Sequence, residues 1–287
     1  MVFYSVKQLL QEAESRALPL WQLILDASAE ESGISPEQSW DMMSQRLQAM
    51  RLADSSYDPA LRSKSGLSGG DGEKMRLQSE SGRSICGDFG GSVLSAALRM
   101  GECNACMHRI VAAPTAGACG VMPAVLLPYG EKHGLKDDAL IRALYVSAGF
   151  GAVIAQRASI SGAEAGCQAE IGSASAMAAA ALVYLHGGDN EQMANAVAIA
   201  LKNMMGLVCD PVAGLVEVPC QSRNAIGAVN AVTCAEITLS GVMYPIPFDE
   251  MVDAMYKVGK SIPFELRETA IGGCAGTPTG CGMRCRI

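Results

Sequence analysis

Aromatic residues are scarce. They make up 5% of the 287 residues, although 49% are hydrophobic. Alanine, glycine and methionine supply much of the apolar bulk. That bias suits closely packed helices and argues against a β-sandwich, which draws on aromatic and β-branched residues. Clustered positive charge is lacking too: 22 Lys and Arg stand against 29 Asp and Glu, a net charge of −7. Nucleic-acid binding needs grouped cations to neutralise phosphates, so a nucleic-acid partner is not expected. The opening MVFYSVKQLLQEAESRA has no apolar core of the signal-peptide kind. The most apolar central stretch, Ala174 to Leu185, is too short to span a bilayer. A cytoplasmic protein without a membrane partner is the expectation. There is no strand alternation of any length, no heptad array and no repeat period.

What is present is helix punctuation. Ser5 with Gln8 reads as a capping box, and Val6, Leu9, Leu10 and Ala13 line one face behind it. Ser35, Pro36 and Gln38 start a second helix expected to run to about Leu52. The stretch from Asp54 to Gly91 is rich in Ser, Gly and Asp and reads as loop. Further helices are expected at 92–100, 119–127, 138–157, 173–186, 190–205, 223–240 and 247–258. The expected architecture is all-α: one domain over 1–287, with N-terminal helices in 1–60 and a core in 61–287. Glycine-rich connectors carry the special residues.

Eleven cysteines are the anomaly. A disulfide scaffold does not suit a reducing compartment, and an odd count disfavours complete pairing. Cys167, Cys209 and Cys220 each sit beside Gly or Pro at a helix junction. There, side chains can converge and free amides can reach a cluster's sulfurs. Spacing alone leaves open that they are ordinary buried cysteines. The CxxC pair Cys103 and Cys106 has no second pair, and two cysteines near a helix end is the plainer reading. The tail adds Cys274, Cys281 and Cys285.

Two glycine-rich segments combine hydroxyls with flexible backbone: Ser65, Gly66, Ser68, Gly69 and Gly70 in the first, Thr115, Ala116 and Gly117 in the second. Such loops present amides to small anions, a carboxylate better than a nucleotide, because neither segment has a P-loop or dinucleotide spacing. Each can equally be a plain flexible loop. Of three histidines, His133 reads as solvated and His186 as a helix-end residue. His108, just before the Thr115 loop, is the one to consider near chemistry.

Four segments, in order, carry a resemblance: SGLSGGDG, RIVAAPTAGACGVMPA, ISGAEAGCQAEIGSASAMAA and GLVCDPVAGLVEVPCQSRNAIGAVNA. From about Ser65 onward the chain resembles the alpha subunit of the iron–sulfur-dependent L-serine dehydratases. The resemblance implies a lyase that converts L-serine to pyruvate and ammonia without pyridoxal phosphate. It implies a [4Fe-4S] cluster on Cys167, Cys209 and Cys220, with one iron open as a Lewis acid. It assigns Ser65–Gly70 and Thr115–Gly117 to the substrate carboxylate and amino group. Some relatives add a removable fourth ligand from a C-terminal cysteine; Cys285 or Cys281 would take that part, although Arg286 and Ile287 follow. The Ser-Ser-Ser-His-Thr segment of single-chain relatives is missing, which implies a separate beta subunit as the source of the base. Two other readings compete. One is a cysteine-degrading or other cluster-dependent lyase on the same scaffold. The other is a non-catalytic zinc-binding module built on Cys103, Cys106 and the tail cysteines.

Overall fold

Ser5 starts the first helix as its spacing predicts, its hydroxyl accepting the Gln8 amide at 3.0 Å. The computed structural model describes residues 3–287, which fold as a single all-α domain. Its helices are α1 (Val6–Ser15), α2 (Leu20–Ser32), α3 (Pro36–Ser55), α4 (Asp71–Glu80), α5 (Gly87–Ala105), α6 (Val121–Lys132), α7 (Asp137–Arg157), α8 (Gly162–Ala165), α9 (Ser173–Leu185), α10 (Asn190–Met204), α11 (Cys220–Leu239), α12 (Phe248–Ser261) and α13 (Pro278–Arg284). Full capping boxes open α3 at Ser35 and Gln38 and α10 at Asp189 and Gln192. Among the described residues there is no strand, only an isolated bridge between Cys209 and Arg267.

Several boundaries depart from expectation. Helix α2 has no side-chain cap to announce it. The expected loop from Asp54 to Gly91 contains all of α4 and the start of α5. Helix α4 is mostly polar, and its first amides find their acceptor far away: Glu102 accepts from Asp71 at 2.6 Å and from Gly72 at 3.3 Å. The tail is ordered as α13, opened by Thr277 and Pro278.

The centre of the fold is α9. Residues 173–183 are all buried, as befits a helix apolar on every side. Helices α6, α7, α10 and α11 pack around it, and alanine lets their backbones approach. One buried cluster runs from Phe3 to Met255. Helix α7, 21 residues long, is the described helix with the length and hydropathy of a membrane span. It lies inside this core, with Leu140, Val146, Phe150 and Ile154 at 0% exposure. Ala179, also at 0%, tests the tightness of the packing. Ala179→Leu should cost about 1–3 kcal/mol. That corresponds to a drop in Tm of about 2–4 °C per kcal/mol, readable by thermal denaturation.

Candidate functional site

Three connectors bring Cys167, Cys209 and Cys220 together. Gly166, at φ +74°, ends α8; a Cβ there would stand 2.7 Å from the Leu207 carbonyl. This close approach lets Cys167 begin the π turn Gln168–Gly172 that leads into α9. The fully buried Gln168 locks the turn to the Cys209 connector. Its amide donates to Leu207 O at 2.9 Å, its Oε1 accepts from Gly206 at 2.9 Å, and its Nε2 donates to Met255 O at 2.9 Å. Cys209 is held from the tail side: its amide donates to Leu266 O at 2.9 Å, and its carbonyl accepts from Glu268 at 2.6 Å. Cys220 is the first residue of α11.

The three thiols lie within electrostatic reach of one another. Burial, and then the Glu170 carboxylate, push Cys167 and Cys220 up to about 12. Cys209 is raised by burial, then by Cys167 and Glu170. Arg223 opposes this at Cys167 and Cys220. Its guanidinium pairs with Asp210 at 2.7 Å and donates to Val208 O at 2.8 Å. Glu170 stands 3.9 Å from Cys209 Sγ. Burial raises its own carboxyl, and the Thr115 hydrogen bond acts the other way.

Among the described residues, no three His, Cys, Asp or Glu side chains are gathered tightly enough for a single metal ion. A polynuclear cluster makes a different demand, because each thiolate takes a different iron and the ligands stand farther apart. Soft thiol donors suit iron–sulfur chemistry, and binding would release the protons that burial holds on them. The donor set therefore fits such a cluster.

Both glycine-rich loops are anchored on carboxylates beside these connectors, Glu170 half-buried and Glu217 buried. Thr115 donates to Glu170 Oε1 at 2.7 Å. Asn224, one turn into α11, clamps the same loop: its Nδ2 donates to Gly117 O at 2.7 Å and Cys220 O at 2.9 Å, and its Oδ1 accepts from Gly120 at 2.8 Å. The Ser65 hydroxyl donates to Glu217, 2.9 Å from each oxygen, and Ser63 donates to the same carboxylate at 2.7 Å. Gly69, at φ +132°, presses on the Leu61 carbonyl, 2.2 Å from where a Cβ would be. Gly66, Ser68 and Gly70 complete this loop, and Ala116 is exposed beside Thr115.

His108 lines a small pocket with Tyr57, Glu102, Cys106 and Gly69, and so borders the first glycine-rich loop. The remaining candidates are placed elsewhere. His186 Nδ1 meets the Tyr129 hydroxyl at 3.0 Å, and His133 stacks on the same ring at 4.3 Å, so both serve a structural cluster. Cys103 is buried, donates to Ala53 O at 3.3 Å and is pushed by burial up to about 11. This is the behaviour of a small core residue. Cys281 on α13 and Cys285 at its C-cap are exposed, and α13 packs on the turn at 212–214 after Cys209. Cys274 comes closer: its amide donates to Asp210 at 2.6 Å. Sequence reasoning missed Glu170, Glu217, Gln168, Asn224 and Arg223. Glu170 had a usable signal, one helical turn after Cys167.

Residues 15–275 match the family described as "Serine dehydratase alpha chain". The probable L-serine dehydratase alpha chain of Bacillus subtilis (strain 168) is 45% identical over 279 residues, 97% of this chain and 93% of that protein. The L-serine dehydratase alpha chain of Peptoniphilus asaccharolyticus is 50% identical over 204 residues, 71% of this chain and 70% of that protein. L-serine dehydratase 1 of Escherichia coli (strain K12) is 44% identical over 181 residues, 62% of this chain but 40% of that protein.

Proposed function

The chain belongs to the serine dehydratase alpha chain family, and from that premise we propose that it is the alpha subunit of an L-serine dehydratase, working with a beta chain. The reaction removes water from L-serine to leave an enamine; this becomes an imine, takes up water, and releases pyruvate and ammonia. A [4Fe-4S] cluster held by Cys167, Cys209 and Cys220 would leave one iron without a protein ligand, a Lewis acid for the serine hydroxyl. The chain's own residues prepare the place. Gln168 and the Leu266–Glu268 backbone fix two of the cysteine turns. Arg223 would offset the negative charge of the Cys167 and Cys220 thiolates. Asn224 ties the Thr115 loop to the Cys220 turn, so substrate and cysteines share one frame.

The observation that carries this reading is the convergence of three thiols from separate connectors beside both glycine-rich loops. Anaerobic purification with iron and sulfide analysis, together with pyruvate release from L-serine, tests it. A protein with zinc but no iron or sulfide would overturn it.

Thr115 supplies a second test. Thr115→Val removes the hydroxyl that Glu170 accepts, while Asn224 still holds the loop backbone. Iron content should stay near normal and kcat/KM for serine should fall about tenfold or more, the scale of a hydrogen bond to a charged group. Loss of iron in this variant would make the loop a structural element.

A further inference from the structure

A hydroxyl carries one hydrogen and two acceptor lone pairs. In the Ser65 loop those hydrogens are already committed. Ser63 donates to Glu217 Oε2 at 2.7 Å, and Ser65 donates to both oxygens at 2.9 Å. Ser65 also accepts from the Leu67 amide at 3.1 Å. Neither serine can donate to a substrate carboxylate while it holds Glu217. What the two enclose is an acceptor, a carboxylate 6% exposed. Among the described residues it forms no ion pair with Lys or Arg. A buried charge without a counter-charge is costly.

Two groups linked to it through the backbone have the opposite need. The Ser68 hydroxyl, on a residue 2% exposed, and Nε2 of Gln221, on a residue 8% exposed, have no hydrogen-bond partner. Ser68 is knotted to Ser63: its amide donates to the Ser63 hydroxyl at 3.2 Å, and its carbonyl accepts the Ser63 amide at 3.0 Å. Gln221 lies one turn beyond Glu217, its amide donating to the Glu217 carbonyl at 3.0 Å. One knot thus offers an uncompensated carboxylate and two unused donors. An α-amino acid zwitterion has the matching polarity: an ammonium for the first, a carboxylate for the second.

We propose that Glu217 is a specificity-determining residue that receives the substrate's α-ammonium group, while Ser68 and Gln221 donate to its α-carboxylate. This rests on L-serine being the substrate, and it reverses the part that an anion-loop reading gives Ser65: its hydroxyl positions Glu217.

The test uses the cluster-loaded alpha–beta enzyme with two probes, L-serine and 3-hydroxypropionate, which is serine with the amino group replaced by hydrogen. Glu217→Gln keeps the shape and removes the charge. The KM for serine should rise about tenfold or more, the scale of a charge-assisted hydrogen bond. The inhibition constant for 3-hydroxypropionate should stay the same or tighten, with iron content unchanged. Equal weakening of both probes would reduce Glu217 to a loop brace and overturn the proposal, as would an unchanged KM. Ser68→Ala covers the case of a misfolded Glu217 variant. It should weaken both probes by a similar factor, since both carry the carboxylate, and weakening of serine alone would overturn the proposal. A wild-type enzyme that binds 3-hydroxypropionate but does not turn over serine would defeat the function proposed above, and this inference with it.

Discussion

Replacing Cys167, Cys209 or Cys220 singly by serine should abolish cluster retention and serine turnover together. Each cysteine comes from a different connector, so none can substitute for another. Serine keeps the size but offers a hard oxygen whose proton is far harder to remove, where soft thiolate is needed. The site already resists ionisation, with Cys167 and Cys220 pushed up to about 12. Only a strongly bound metal group offsets that cost, and a missing ligand takes away part of the offset. The expected readings are loss of visible iron–sulfur absorbance, iron and sulfide near background, and no pyruvate above background. Cys103→Ser is the contrast. That thiol faces the Ala53 carbonyl inside the core, so a change in stability with iron and activity intact is expected. Full activity in any of the first three variants would overturn the ligand assignment.

The alpha chain purified without a beta chain should assemble the cluster yet turn serine over about 10²–10⁴-fold more slowly, the usual contribution of a positioned acid or base. Polarising the hydroxyl is half of a β-elimination; the α-proton must also go to a base. Two of the chain's three histidines are poorly disposed for that. His133 and His186 gather around Tyr129 near the C-terminal end of α6, the end away from the Thr115 loop. His108 is the exception: it shares a small pocket with Tyr57, Glu102 and Gly69 of the first glycine-rich loop. Adding the beta chain should restore turnover without changing iron content, measured as kcat on matched samples. An isolated alpha chain with full activity would overturn the need for a partner and make His108 the first residue to replace.

Most of the helices were legible in the sequence because their cues are local, and so was the junction setting of Cys167, Cys209 and Cys220 beside Gly or Pro, whereas their grouping as one set came from the resemblance alone. Ser35 with Gln38, and Asp189 with Gln192, bond within one turn. What escaped depends on distant partners. Helix α4 is polar and takes its cap from Glu102, about 30 residues away, so no window around Asp71 announces a helix. Glu217 looks like a surface acid until Ser63 and Ser65 fold onto it from about 150 residues upstream. Asn224 reads as an ordinary helix residue, and only the tertiary fold brings Gly117 and Gly120 to its amide. Helix α13 did carry a local cue, Thr277 before Pro278, which the surrounding glycines obscured.

The burial of α9 on all sides has a consequence for how the protein opens. Segments open with free energies that rise with burial and contact density. A helix with no solvent-facing side belongs to the most slowly exchanging class of amides. The π turn that carries Cys167 and Glu170 runs directly into it. Opening that turn would therefore disturb the last element to yield, whereas the exposed α13 can fray alone. Hydrogen-exchange protection should accordingly grade across the site, from a firm wall at Cys167 to a yielding rim at the tail.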